Sequence, residues 1–180
     1  TYPTVFPTLI TYLEGLSTND TNLSLANGYL FKCSSYNSST GGVRTLFSTD
    51  ANRMFFLNRY NEFSNGFADT YAYCLLDNHV HWLIKTLPED TIIGLLRKGT
   101  TCTQTQTKFI NVECTFHELI EQQFNRLFIS YSLAYNKSLG IKGHLFSRPF
   151  KRIAVANDQQ LTQLIIYIHA NAQKHGICND

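Results

Sequence analysis

Two short patterns in this 180-residue chain combine side chains that could carry chemistry. In His79-Val80-His81 the imidazoles are two residues apart, so on a β-strand both would project from one face while Val80 goes to the other. Two neutral imidazoles side by side can hold one divalent ion. The same tripeptide also arises by chance, and an exposed strand can carry two His that bind nothing. Further along, Tyr167 and Asn171 are four apart in a segment with helical apolar spacing, which makes their side chains neighbours one turn apart. A phenol beside an amide oxygen could serve a metal site, the amide as ligand and the phenol as nucleophile. The plainer reading is a Tyr at a core boundary, its ring packed and its hydroxyl wet.

The elements that must position these residues can be read from the chain. Asp69–Leu76 is rich in β-formers, Asp77-Asn78 is a two-residue turn candidate, and Asn78–Thr86 is a second extended run, so the pair predicts an antiparallel hairpin. Asp158 opens a final helix as its expected cap, and Gly176 ends it, with Lys174 and His175 in the last turn. On that helix Leu161, Leu164, Ile165, Ile168 and Ala172 form the expected apolar face. Gln160, Gln163, Tyr167, Asn171 and Lys174 form a polar stripe beside it.

The remaining elements are simpler. Asn27–Ser35 predicts a strand and Tyr36–Arg44 a Gly/Ser-rich loop. Asp50 caps a helix over 51–63, with Met54, Leu57 and Phe63 near one face. Glu89–Lys98 predicts a short helix capped near Pro88, and Thr100–Thr107 a Thr/Gln-rich connection. Glu113–Ser138 is the longest helix, with Leu119, Leu127, Phe128, Tyr131 and Tyr135 recurring at helical spacing. Lys142–Val155 reads as short extended pieces. No repeat or linker breaks the chain, so 1–180 is expected to be one domain, with 1–26 a less patterned N-terminal extension.

Composition bounds the function classes. Apolar residues make up 43% and charged residues 16%, as in folded globular proteins rather than disordered ones. No apolar run approaches the roughly 20 residues of a membrane span, and no secretory signal stands out. The 5 Cys are odd in number and contain no Cys-x-x-Cys pair, which favours a reducing compartment over a disulfide framework. Residues 1–90 carry 5 Lys and Arg against 8 Asp and Glu, whereas 91–180 carry 10 against 5. Between Glu121 and Asp158 lie Arg126, Lys137, Lys142, Arg148, Lys151 and Arg152 with no acid among them. A one-sided basic face suits a polyanion, because phosphate contacts release counterions; a merely solvated basic surface is the alternative.

The segment Tyr71-Ala72-Tyr73-Cys74-Leu75-Leu76-Asp77-Asn78-His79-Val80-His81-Trp82-Leu83-Ile84 resembles a block of the REP-associated tyrosine transposases, relatives of the single-tyrosine HUH transposases of small insertion sequences. Gly143-His144-Leu145-Phe146-Ser147-Arg148-Pro149-Phe150-Lys151-Arg152 is similar to that family's second block. Tyr167-Ile168-His169-Ala170-Asn171-Ala172-Gln173-Lys174-His175-Gly176 resembles its catalytic-tyrosine block. The blocks stand in the family's order and span about residues 27–177. The family usually has Pro where Asp77 stands and Asn-Pro-Val at Asn171-Ala172-Gln173, and it has a His and an Asn-Arg-Gly pattern that this chain lacks after Tyr29.

The resemblance implies a ferredoxin-like α+β fold: an antiparallel sheet with helices packed mainly on one face, and the His pair on a central strand near the tyrosine helix. It implies His79, His81 and Asn171 as ligands of Mg²⁺ or Mn²⁺ and Tyr167 as the nucleophile. The implied activity is a single-strand DNA endonuclease and strand transferase that forms a 5′-phosphotyrosine link next to a hairpin, as a monomer or homodimer in the bacterial cytoplasm at the nucleoid. Lys137, Lys142, Arg148, Lys151 and Arg152 are the expected phosphate contacts. Trp82 and Phe146 could stack on unpaired bases or pack in the core. Two other readings stay open. A hairpin-binding protein derived from such a transposase would bind without forming an adduct. A metallo-phosphoesterase would use the His pair with an activated water, although acids near that pair are scarce apart from Asp77.

Overall fold

The structure, a computed structural model, describes residues 28–34, 44–147 and 151–176. The 1–26 extension, most of the Tyr36–Arg44 loop and Arg148 lie outside the described residues.

The elements run in the order β1 (Gly28–Ser34), α1 (Asp50–Ser64), β2 (Ala68–Leu76), β3 (His79–Thr86), α2 (Glu89–Lys98), α3 (Gln104–Ile110), α4 (Phe116–Leu139), β4 (Lys151–Ala154) and α5 (Asp158–Lys174). The four strands form one sheet in the order β2-β3-β1-β4. β1 is antiparallel to both β3 and β4, and the two-residue turn Asp77-Asn78 folds β2 back on β3. This is the ferredoxin-like strand order, so the α+β expectation and the hairpin both hold. The Asp77 carbonyl ties the turn down, accepting from the Leu46 and Phe47 amides at 2.5 and 3.4 Å.

The chain divides into two compact units. The first takes in the described residues of Thr1–Thr49, Thr70–Lys85 and His144–Asp180. Its core joins Ala72, Cys74 and Leu76 of β2 and Leu83 of β3 to Leu164, Tyr167 and Ile168 of α5, with Val155 beside them. Alternate residues of a strand share a face, so α5 lies over the face that carries Leu83 and therefore His79 and His81. Each large apolar side chain buried there contributes roughly 1.5–3 kcal/mol. β3 is buried at its even positions too, Val80, Trp82 and Ile84, as suits a strand inside the sheet.

The second unit comprises Asp50–Asp69 and Thr86–Gly143, and it is helical. Its long helix α4 buries Leu119, Leu127, Phe128, Tyr131 and Tyr135, as its periodicity predicts. Tyr131 meets Phe56 of α1 edge-on at 4.9 Å and stacks on Tyr135 at 5.6 Å. Burial pushes the Tyr131 hydroxyl well above the ordinary tyrosine range. Thr115 and Glu118 close α4's N-terminus with a reciprocal capping box, and Gly140 ends it at φ +65°, a conformation that costs a residue with a Cβ.

Three local expectations are corrected. The buried face of α1 is Phe56, Tyr60 and Ser64, while Met54 is 42% exposed. Apolar residues surround that helix, so periodicity alone does not choose the face. The Thr100–Thr107 connection contains the start of α3, nucleated by a second capping box in which Thr103 and Gln106 bond reciprocally. On α5 the cap is Asn157, whose side chain accepts from the Gln160 amide, and Asp158 is the first helical residue.

Candidate functional site

β3 puts His79 and His81 on one face, with ring centroids 5.0 Å apart and the planes at 82°. Across from them, α5 presents Tyr167, Asn171 and His175, spaced four by four and so on one helical stripe. The His81 ring meets the Tyr167 ring at 5.4 Å, edge to face at 90°. The His79 ring meets the His175 ring at 5.9 Å. Tyr167 and His175 are eight residues, about 12 Å, apart along the helical stripe, whereas the two His that they meet are about 6.6 Å apart on the strand. Asn171 lies midway along the stripe between the residue that meets His81 and the one that meets His79.

His79 is held by its neighbour: Nδ1 lies 2.7 Å from Oδ1 of Asn78. An amide oxygen only accepts, so Nδ1 donates, and in the neutral ring Nε2 keeps the lone pair that a metal would use. His81 is fully buried (0% exposed) and Tyr167 nearly so at 1%. Asn171 is also 0% exposed, and neither its Oδ1 nor its Nδ2 finds a hydrogen-bond partner among the described residues. Leaving a buried amide unsatisfied costs about 1–3 kcal/mol, so the fold tolerates this group for a reason other than stability.

Asn171 and Tyr167 thus sit inside the buried arc of α5, not on a polar stripe beside it, whereas Gln163 and Lys174 are exposed. A helical wheel assigns them by polarity, but the sheet face opposite is itself polar at the His pair, so that arc can include them. On the same helix, burial lowers the basicity of His169 and keeps it neutral near pH 7. Among the described residues, no three of His, Cys, Asp and Glu gather at metal-ligand range. What meets here is the two imidazoles of β3, the Tyr167 phenol and the His175 imidazole, with the Asn171 amide on the same helical stripe.

The basic candidates are spread out. Lys151, exposed, and Arg152, half-buried, are consecutive on β4 and so face opposite sides of the sheet. Lys137 lies exposed in the last turn of α4, and Lys142 is exposed just beyond it, both in the helical unit. Trp82 and Phe146 are buried and belong to packing rather than to an open stacking surface. His175 and Asn78 escape the sequence reading. His175 looks there like a residue that only complements the helix C-terminus, although its spacing of eight from Tyr167 places it on the same stripe.

No known family profile matches the sequence, and no curated protein does. No described helix is long and apolar enough to cross a membrane. Among solved structures the chain is similar to a REP-associated tyrosine transposase bound to a REP hairpin, at 16% identity and a TM-score of 0.51, over 91% of this chain and 77% of that one. The chain therefore has the fold of a REP-associated tyrosine transposase.

Proposed function

We propose that this chain is a metal-dependent single-strand DNA endonuclease and strand transferase, with Tyr167 as nucleophile and His79, His81 and Asn171 as metal ligands. The observation that carries the reading is the fully buried, unsatisfied Asn171 amide one helical turn from Tyr167, whose ring packs on His81. Two imidazoles and an amide oxygen are a donor set that fits a divalent ion such as Mg²⁺ or Mn²⁺ with room left for phosphate and water oxygens. When bound, such an ion neutralises charge on the scissile phosphate.

The chain's own residues then have defined tasks. A phenol with a pKa near 10 is a poor nucleophile, so Tyr167 depends on being aimed at the phosphorus, and α5 does the aiming. The Tyr167 oxygen bonds to phosphorus as the bond to the 3′ oxygen breaks. The phenolic proton passes to water, and the departing oxygen takes one up as a free 3′-hydroxyl. The 5′-phosphotyrosine link conserves the bond energy, so a 3′-hydroxyl can attack it and rejoin a strand without ATP. The substrate is single-stranded at the cleavage point, with an adjacent hairpin as in the complex of the structurally similar transposase.

The test is a covalent adduct. Wild-type protein incubated with hairpin-bearing oligonucleotides and Mn²⁺ should give a slower-migrating species on a denaturing gel, lost with EDTA and in Tyr167→Phe. Turnover that survives Tyr167→Phe without an adduct would instead identify a water-activating phosphoesterase. One observation favours a second reading, a hairpin binder without chemistry: Tyr167 is 1% exposed, so no phosphate reaches its hydroxyl unless α5 shifts. Binding with no adduct across an oligonucleotide library would establish that binder.

A further inference from the structure

The helical unit encloses a cavity of about 490 Å³, walled by the last turn of α1, the residue before β2, the α2–α3 connection with α3, and the middle of α4. That volume falls in the roughly 300–1,000 Å³ of small-molecule sites. Half-buried Arg126 on its wall is held without being neutralised. Its Nη1 donates to Oε1 of Gln123 at 3.2 Å, and the guanidinium stands 5.2 Å from the centre of the Phe63 ring. Both partners are uncharged, and Nε and Nη2 make no hydrogen bond among the described residues. Glu62 also lines the cavity, but its carboxylate is held by Arg59 of the same helix. A half-buried charge without a counterion is costly, and a guanidinium fork fixed in one orientation matches an oxyanion.

Further donors line the same cavity. Gln106 is 8% exposed; its Oε1 accepts from the Thr103 amide at 2.8 Å, and its Nε2 has no partner among the described residues. The Thr103 hydroxyl oxygen accepts from the Gln106 amide, which leaves its proton free to donate, and Thr101 adds a second hydroxyl. The guanidinium fork alone fills both oxygens of a carboxylate, whereas a phosphate keeps a third oxygen for the hydroxyls and the amide. Phe63 and Phe67 give the cavity an aromatic wall for a planar body. We propose that this cavity binds a nucleotide, with its phosphate on Arg126, Thr101, Thr103 and Gln106 and its base against Phe63 and Phe67. The nucleotide is either free or part of a bound DNA strand, and the recognising chemistry is the same. The site goes beyond the proposed strand transfer, because it uses neither the metal ligands nor Tyr167.

The experiment is done in EDTA, where metal-dependent strand transfer is silent. Cys102 lines the cavity with an exposed thiol, so its alkylation by N-ethylmaleimide reports occupancy, and half-buried Cys114 serves as the internal control. Peptide mass spectrometry follows both rates in the wild-type protein. The mononucleotide dAMP should slow Cys102 saturably, with half the effect below about 1 mM, and leave Cys114 unchanged. Inorganic phosphate should need a higher concentration, and deoxyadenosine should have no effect. Arg126→Met should weaken protection by dAMP about ten- to hundredfold. Because that change also strips Gln123 of a partner, Thr101→Val at an exposed position provides a second variant, with a loss of about three- to tenfold and an unchanged Tm. Lys108→Met, which removes an exposed charge from α3, should change nothing. A hairpin oligonucleotide separates the two sources: protection by the hairpin that Arg126→Met abolishes assigns the site to a nucleotide of the strand, and protection by dAMP alone assigns it to a free one. Protection by neither, equal protection by deoxyadenosine, or protection that survives both Arg126→Met and Thr101→Val would overturn the site.

Discussion

Two amides, Gln123 in the helical unit and Asn171 in the sheet unit, are buried to a similar degree and treated in opposite ways. Gln123 is 7% exposed and uses both ends. Its Nε2 donates to the Phe63 carbonyl at 3.0 Å, and its Oε1 accepts from Arg126 at 3.2 Å. Phe63 belongs to the last turn of α1, where carbonyls lack intrahelical partners, so Gln123 closes an open helix end. The Arg126 guanidinium also lies 5.2 Å from the Phe63 ring centre, and Arg59, 5.7 Å from the same ring, donates to Ser130 at 3.0 and 2.6 Å. Asn171 has no such provision among the described residues. The Gln123 amide serves stability, whereas the Asn171 amide is buried at a stability cost, which is what the proposed metal site would require of it.

The sharpest way to break the contrast is to remove each amide with a similarly shaped apolar residue. Gln123→Leu orphans the Phe63 carbonyl and strips Arg126 of an acceptor. It should cost about 1–3 kcal/mol in urea unfolding, with Tm falling by several degrees. A variant as stable as wild type would show that Gln123 holds nothing together.

Asn171→Leu should do the reverse. In EDTA it should gain about 1–2 kcal/mol, since an unsatisfied amide gives way to a side chain that the surrounding core accepts. The same variant should lose the rise in Tm that Mn²⁺ gives wild-type protein by binding only the folded state. It should also form no adduct with DNA. Destabilisation by more than 1 kcal/mol would mean that Asn171 has a structural partner, and the comparison with Gln123 would collapse.

How far the sequence reveals this arrangement depends on which forces are local. The β2–β3 hairpin is legible because β-formers, a two-residue turn and alternate placement of the His pair all agree. α4 is legible because its apolar residues keep a helical period over many turns. The face of α1 is not, since its aromatics surround the helix, and Tyr131 of α4 meets both the exposed Phe55 and the buried Phe56. α3 is short and poor in strong helix formers, and its one local signal was the Thr103-x-x-Gln106 capping box. At the site, residue types and spacing name His79, His81, Tyr167 and Asn171, but not their burial. His81 and Asn171 are polar groups deep inside the protein, and no propensity or period expresses that.

The smallest effect concerns a polar group that is satisfied at the surface. Glu118 completes the α4 capping box, with its carboxylate accepting from the Thr115 amide at 2.7 Å and the Thr115 hydroxyl at 2.8 Å. The backbone bond first, and the hydroxyl bond second, hold its pKa below the ordinary glutamate value. The folded protein therefore binds this proton less readily than the unfolded chain does. Its stabilising effect is complete above the ordinary glutamate range near 4.3 and fades as pH falls through the lower folded value. Glu118→Gln keeps an acceptor in the box but gives up the negative charge at the helix N-terminus. At pH 6 it should melt slightly below wild type, and the gap should close as pH drops below about 4. A gap that persists or widens in acid would mean that the lost charge is not what weakens the variant, and that the neutral amide satisfies this helix end less well than the protonated acid does.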